Sequence, residues 1–217
     1  MQKDSTSNAA SAGGRSPGVG ASPDPASTSP APSTPLRPGV EVRVRLIIPQ
    51  DSISEITRLL HRAYRPQVEM GLKPLAGRQT DDVTADRAAN SECYLAVIDD
   101  PDARSVGVQR DKIVGVILFE EVERVTFPHF FLRPDVAHFA QFGVDPDLQG
   151  LGIGRLLLEK VEQRARENKA TELALSMAEP DTNLRAFYEK RGFRFIEFWQ
   201  WPYTNYRSCI LSKALTT

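Results

Sequence analysis

The sequence predicts an α+β domain: one mixed, mostly antiparallel, twisted sheet flanked by about four helices. Three observations predict it. Up to Val144, short apolar runs follow one another in the manner of a strand meander, with two helical stretches inserted. After Gly154, strand and helix patterns alternate, which implies a parallel portion of the sheet there. The first 39 residues hold seven of the sixteen prolines, and Ser, Ala and Gly fill most of the rest, so they stand apart as a tail.

The elements follow in order. Val40–Ile48 alternates around Arg43 and Arg45 and reads as a strand with one wet face. Pro49-Gln50-Asp51 stops it, and Asp51 or Ser52 caps a helix carrying Ile53, Ile56, Leu59, Leu60 and Ala63. Residues 66–77 read as irregular, punctuated by Pro66, Gly71, Pro74 and Gly77. Thr80 to Asn90 reads as a weaker helix with Val83 and Ala88 inward. Cys93–Ile98 is a predicted strand, Asp99 to Asp111 a polar connection, and Lys112–Val122 a long predicted strand. Arg124–Arg133 leads to a strand at His138–Val144, closed by the turn Asp145-Pro146-Asp147. A helix then buries Leu156, Leu157, Leu158, Val161 and Ala165, with Glu159, Lys160, Glu162 and Arg164 on its wetter face. A strand at Glu172–Met177, a helix from Asn183, a strand at Phe193–Trp201 and a last strand near Ser208–Ser212 complete the chain.

Length and charge exclude several function classes. The 217 residues suffice for a tail (1–39) and one domain (40–217). The tail's only sizeable apolar residues beyond Met1 are Val19 and Leu36, too few to offset its ordering entropy, so it is expected to be disordered. It lacks a secretory apolar core and resembles no amphipathic transit helix, so the expected location is cytoplasmic. The tail is net +1 (Lys3, Arg15 and Arg37 against Asp4 and Asp24), which leaves −2 for the domain within a chain of net charge −1. That balance gives no reason to expect nucleic acid or an anionic membrane as partner. Cys93 and Cys209 fall in predicted strands and read as buried free thiols. His61, His129 and His138 lack metal-ligand spacing, so no metal is expected.

The chemistry concentrates in Gln149-Gly150-Leu151-Gly152-Ile153-Gly154-Arg155, set between a strand and a helix. Glycines admit close backbone approach, and unpaired N–H groups at a helix N-terminus attract phosphate oxygens. A nucleotide-hydrolase P-loop requires Lys and then Ser or Thr after its last glycine, but Arg155 and Leu156 follow Gly154. A dinucleotide fingerprint fails as well, because its third glycine falls on Leu157 or Arg155. Gln-x-x-Gly-x-Gly remains, with Gln149, Gly152 and Gly154 in the named places. This resembles the acyl-CoA pyrophosphate loop of the GNAT superfamily of N-acyltransferases. A second block, Asn183-Leu184-Arg185-Ala186-Phe187-Tyr188-Glu189-Lys190-Arg191-Gly192-Phe193, is similar to that family's penultimate helix, and the gap between the blocks matches. The similarity spans Val40 to about Leu215.

The resemblance implies an acetyl-CoA-dependent N-acetyltransferase that acts by direct attack of an amine on the thioester, as a monomer or homodimer. Backbone N–H groups from Gln149 to Gly154, namely those of Gln149, Gly150, Leu151, Gly152, Ile153 and Gly154, would hold the pyrophosphate. Arg155 either touches a phosphate or is a solvated charge. Main-chain groups of Phe142, Gly143 and Val144 would meet the pantetheine arm and the thioester, with Val144 N–H at the oxyanion. A glycine within a strand such as Gly143 marks a bulge or a close approach. Tyr188 is the candidate general acid, since a phenol of pKa about 10 can protonate a departing thiolate; periodicity alone would make it core. Asn183 hydrogen-bonds the cofactor or caps its helix. For the base the candidates are His138, one of Glu120 and Glu121, or a water chain. The aromatic groups Phe127-Pro128-His129-Phe130-Phe131 and Trp199-Gln200-Trp201-Pro202-Tyr203 line the acceptor pocket or fill the core. The acceptor is a primary amine of a small molecule or a protein. A non-catalytic acyl-CoA sensor is the rival reading, and it has no use for Tyr188 as a proton donor.

Overall fold

The structure is a computed structural model, and it describes residues 34–37, 40–99, 111–121 and 126–216. Most of the expected tail, the polar connection after Asp99 and the expected strand end at Val122 lie outside the described residues. The elements are β1 (Thr34–Arg37), β2 (Val40–Leu46), α1 (Ile53–Glu69), α2 (Asp81–Ala89), β3 (Glu92–Asp99), β4 (Asp111–Phe119), β5 (Val136–Val144), α3 (Ile153–Glu167), β6 (Glu172–Ala178), α4 (Thr182–Glu189), β7 (Arg194–Trp199) and β8 (Ser208–Ala214). They form the α+β fold expected, with an eight-stranded sheet in the order β1-β2-β3-β4-β5-β6-β8-β7. Among the described residues only β5 and β6 pair in parallel. Residues 34–37, which composition assigns to the tail, pair with β2 as an added antiparallel edge strand.

Period-two alternation sends side chains of the central strands to two cores. Leu95, Val97, Val116 and Leu118 face Ile56, Leu59 and Leu60 of α1. Ala96, Ile117, Phe139 and Leu175 face Leu157, Val161 and Ala165 of α3, and Tyr188 of α4 joins this second core. The sheet therefore separates α1 and α2 from α3 and α4. A third, aromatic-rich cluster gathers Phe131, Trp201 and Ile210 around Val136 and Ala174.

Several boundaries differ from expectation. α1 does not end before Pro66 but continues to Glu69, and Pro66 O accepts Met70 N–H at 3.1 Å. Proline removes one N–H and disfavours a helix interior, yet it stands here within the last turn, where little helix remains to disrupt. Gln67, one residue on, is buried and donates to Asp181 at 3.0 Å, a tertiary contact that fixes the extra turn. In α2, Thr84 and Ala88 are the buried residues, whereas Val83 is half-buried.

Two strand glycines let helices approach from opposite sides. A Cβ on Gly115 would stand 2.9 Å from Leu157 Cδ1, so α3 rests directly on β4. On Gly143 it would stand 3.2 Å from Ala63 Cβ, so the missing side chain makes room for α1 rather than for a ligand. Gly115→Val should therefore overpack the α3 face and destabilise the fold by about 1–3 kcal/mol. Urea denaturation checks this, with a lower midpoint and an unchanged slope expected.

Candidate active site

β5 and β6 run side by side only from Val136/Glu172 to Phe139/Leu175, although β5 continues to Val144 and β6 to Ala178. Beyond Phe139 the two strands part. The register of β5 against β4 also slips there, because Ala140–Gly143 faces Leu118–Val116, one residue more on β5. This is a β-bulge, and Gln141 adopts φ 47°, the left-handed region that such a bulge demands. Gln141's side chain turns to the α1/α2 side and exchanges hydrogen bonds with Gln79 at 2.8 and 3.3 Å.

The bulge decides which backbone groups face the gap. Asp145 N–H donates to Val114 O at 2.9 Å on the β4 side, so alternation turns the N–H and C=O of Val144 and Phe142 the other way, into the opening. Gly143's groups point back to β4. Without the extra residue the phase would reverse and Val144 N–H would be spent in the ladder. Of the three main-chain positions expected to serve the ligand, two face the gap.

The glycine loop adjoins this opening. Asp145 starts the turn Pro146–Leu148, accepting Asp147 N–H at 3.2 Å on one oxygen and Arg62 Nη2 at 2.7 Å on the other, which ties the loop to α1. Gly150 and Gly152 have φ 78° and 87°, a region open to glycine at little cost. A Cβ on Gly154 would stand 3.1 Å from Phe142 Cζ, so this third glycine serves close packing. Leu156 N–H is the first to bond back into α3, on Gly152 O at 3.1 Å. The N–H groups of Ile153, Gly154 and Arg155 precede it and have no acceptor within the helix. Ser52, Thr80 and Asp181 each cap their helix through a side-chain oxygen, but no side chain caps α3. A helix start left bare in this way, with the positive end of its dipole, suits an anion.

A cavity of about 690 Å³ crosses the sheet at the gap. Its wall carries Phe142, Gly143, Val144, Gln149, Gly150, Gly152, Ile153, Gly154, Arg155, Asn183, Tyr188 and His138. Leu151 is the exception among the expected site residues, since it does not line the cavity. Arg155 pairs with Glu159 at 2.8 Å on the surface. Asn183 is not a helix cap: Asp181 takes that role, accepting Leu184 N–H at 3.0 Å, and Asn183 stays exposed on the first turn of α4.

Tyr188 is 4% exposed, its ring 6.2 Å from that of Phe139 and 5.5 Å from that of Phe193. Burial first, then the nearby Tyr64 phenol, push its pKa well above the ordinary tyrosine value. Burial likewise raises Tyr64, and Tyr206 to about 12, so three neutral phenols stand at the cavity wall.

His138 heads the gap with its ring stacked on Phe131 at 4.8 Å. Nε2 lies 3.1 Å from Glu121 O, and a carbonyl only accepts, so Nε2 carries a proton. Nδ1 is buried and 3.5 Å from Glu120 Oε1. The strand expected to run to Val122 ends at Phe119 and Glu120 has φ 52°, so alternation does not reach the two glutamates, although one of them does face inward. Glu121 is 2% exposed and lines the cavity, paired with Arg87 of α2. Sequence reasoning did not single out that ion pair, which joins elements 34 residues apart.

The comparisons with known proteins bear on this arrangement. Residues 55–193, more than half of the chain and including both the loop and Tyr188, match the acetyltransferase (GNAT) family. The chain belongs to the GNAT acetyltransferase family. Members of this family are acyl-CoA-dependent N-acetyltransferases, and acetyl-CoA is the donor the family uses. No curated protein matches the sequence. Among solved structures, PH1933 from Pyrococcus horikoshii OT3 is similar at 19% identity and TM-score 0.57, covering 82% of this chain and 100% of its own. The ribosomal-protein-S18-alanine N-acetyltransferase from Escherichia coli is similar at 16% identity and TM-score 0.54, covering 81% and 95%. A GNAT family acetyltransferase from Elizabethkingia anophelis, solved with acetyl-CoA bound, is similar at 16% identity and TM-score 0.52, covering 80% and 98%. At such identities these likenesses concern the GNAT fold. The bare amides of α3, the open edge of β5 and the cavity between them fit the family's donor.

A side chain on Gly150 would meet open space. Asn and Asp tolerate positive φ better than other residues, so both Gly150→Asn and Gly150→Asp should fold. The carboxylate of Gly150→Asp would oppose phosphate, and we expect it to weaken coenzyme A binding about tenfold or more relative to Gly150→Asn. Calorimetric titration with coenzyme A compares the two.

Proposed function

We propose that this chain transfers the acetyl group of acetyl-CoA to a primary amine of a small molecule or protein by direct attack. The observation that carries the proposal is the convergence on one cavity of an uncapped glycine-rich helix start, the inward N–H of Val144 and the buried phenol of Tyr188. Bound acetyl-CoA would supply the acyl group as a thioester.

The chain's own groups then have separable tasks. The amides from Gly150 to Gly154 hold the diphosphate against the α3 dipole. Main-chain groups of Phe142 and Val144 extend β5 toward the pantetheine arm, and Val144 N–H donates to the acyl oxygen as negative charge develops there. Tyr188 delivers its proton to the departing sulfur. Its raised pKa keeps the phenol protonated at every pH where the enzyme would work. Amine deprotonation falls to water in the cavity. His138 already donates from Nε2 and buries Nδ1, and both oxygens of Glu121 are engaged by Arg87, so neither is assigned as the base.

The measurement is free-thiol release from acetyl-CoA across a panel of amines, beside calorimetric binding of acetyl-CoA. Release with at least one amine supports the enzyme, whereas binding without release from any amine supports the sensor. Tyr188→Phe should lower kcat roughly a hundredfold or more while acetyl-CoA affinity stays within about threefold. No alkaline limb due to Tyr188 is expected in kcat below about pH 10. His138→Gln should lower kcat less than about fivefold, and a loss as large as that of Tyr188→Phe would restore His138 as the base.

A further inference from the structure

The end of the cavity away from the glycine loop is walled by rings. Phe127 and Phe131 come from the segment before β5, and Trp201, Tyr203 and Tyr206 from the connection between β7 and β8. These rings brace one another. Trp201 stacks on Tyr203 at 5.8 Å and 16°, and Phe127 meets its edge at 6.2 Å and 86°. The indole N–H donates to Ser176 Oγ at 2.8 Å, which fixes the plane of the ring. Such a wall is formed before any ligand arrives, so a flat apolar group binds it without ordering side chains first.

The charges at the wall point the same way. Among the described residues two carboxylates line the cavity, Glu121 and Asp181, against three guanidiniums, those of Arg87, Arg155 and Arg191. Glu121 is neutralised by Arg87, whereas Asp181 accepts from the neutral Gln67 amide and from the start of α4 and keeps its charge. A polyamine, an amino sugar with several ammonium groups or a lysine-rich segment needs several anions to replace its hydration, and beyond the Glu121–Arg87 pair the wall offers only Asp181, with guanidiniums in excess. The phenols of Tyr64, Tyr188 and Tyr206 supply hydrogen bonds without charge.

We infer that the acceptor is a small aromatic amine with a single ammonium group, its ring held against Phe127, Trp201 and Tyr203 and its nitrogen directed toward the gap between β5 and β6. The inference rests on the acetyltransferase reading above and narrows it to a substrate class.

The test has two arms. In the first, thiol release from acetyl-CoA is followed with tryptamine, 2-phenylethylamine, n-hexylamine, spermidine and a lysine-containing peptide. The expected kcat/KM for the two aromatic amines is about tenfold or more above that for n-hexylamine, which has the same charge and no ring. Preference for spermidine, the peptide or n-hexylamine overturns the inference while leaving the acetyltransferase intact. In the second arm, the same amines are titrated calorimetrically into the protein saturated with coenzyme A. If no amine is acetylated but tryptamine binds about tenfold more tightly than n-hexylamine, the aromatic site stands and the catalytic reading falls. Equal or absent binding overturns the inference. Phe127→Leu, at a half-buried position that tolerates a smaller residue, should raise the KM or Kd for tryptamine several-fold with coenzyme A affinity retained as the sign of an intact fold. Trp201→Leu should do so more strongly, and tryptamine parameters unmoved by both substitutions count against the site.

Discussion

Separation of two parallel strands governs this molecule. β5 and β6 are paired up to Phe139 and Leu175 and then part, which exposes the edge of β5 in the interior of the domain. A buried backbone N–H or C=O without a partner costs about 1–3 kcal/mol, so such an edge calls for water or a ligand that can pair with it. A chain of amides such as the pantetheine arm meets that need as an added strand would. The bulge at Gln141 is the companion constraint, since it sets the phase that turns Val144 N–H inward. Gln79 and Gln141 bind each other beneath the sheet, so the bulge is anchored from the α1/α2 side.

The glycine loop acquires its meaning from this gap. Its three glycines do two kinds of work: Gly150 and Gly152 bend the backbone through positive φ, and Gly154 lets the helix start against Phe142. Phe142 in turn belongs to the strand whose edge is open. The anion site and the strand edge are thus one packed unit, reinforced where Asp145 joins the loop to Arg62 of α1. On the far side the aromatic cluster around Trp201 closes the cavity, and Arg87 neutralises Glu121 at its wall.

Much of this was legible in the amino-acid order, for reasons that are local. Alternation in β2 to β5, helical spacing in α3 and the glycines at 150, 152 and 154 each depend on neighbours within a few residues. What escaped the sequence reading is non-local. The turn of α1 beyond Pro66 holds because Gln67 reaches Asp181, 114 positions away. The bulge centres on Gln141, two residues before the glycine that marks it, and Gln141's partner Gln79 lies 62 positions upstream. Gly143, which by residue type marks a bulge or a close approach, stands beside the bulge and admits α1, and spacing alone does not say which side of a strand is crowded. Asn183 and Asp181 are equally good caps by residue type, and only the helix start at Thr182 chooses between them.

A crystal structure with coenzyme A bound tests the central claim most directly. The account predicts the pantetheine arm between residues 140–144 and 175–178, its amides paired with main-chain groups of Phe142 and Val144, and the diphosphate on the amides that open α3. It predicts as well that β5 and β6 remain apart, with the sulfur beside the Tyr188 hydroxyl. Coenzyme A seated elsewhere, or β5 and β6 zipped together through Val144, would contradict it.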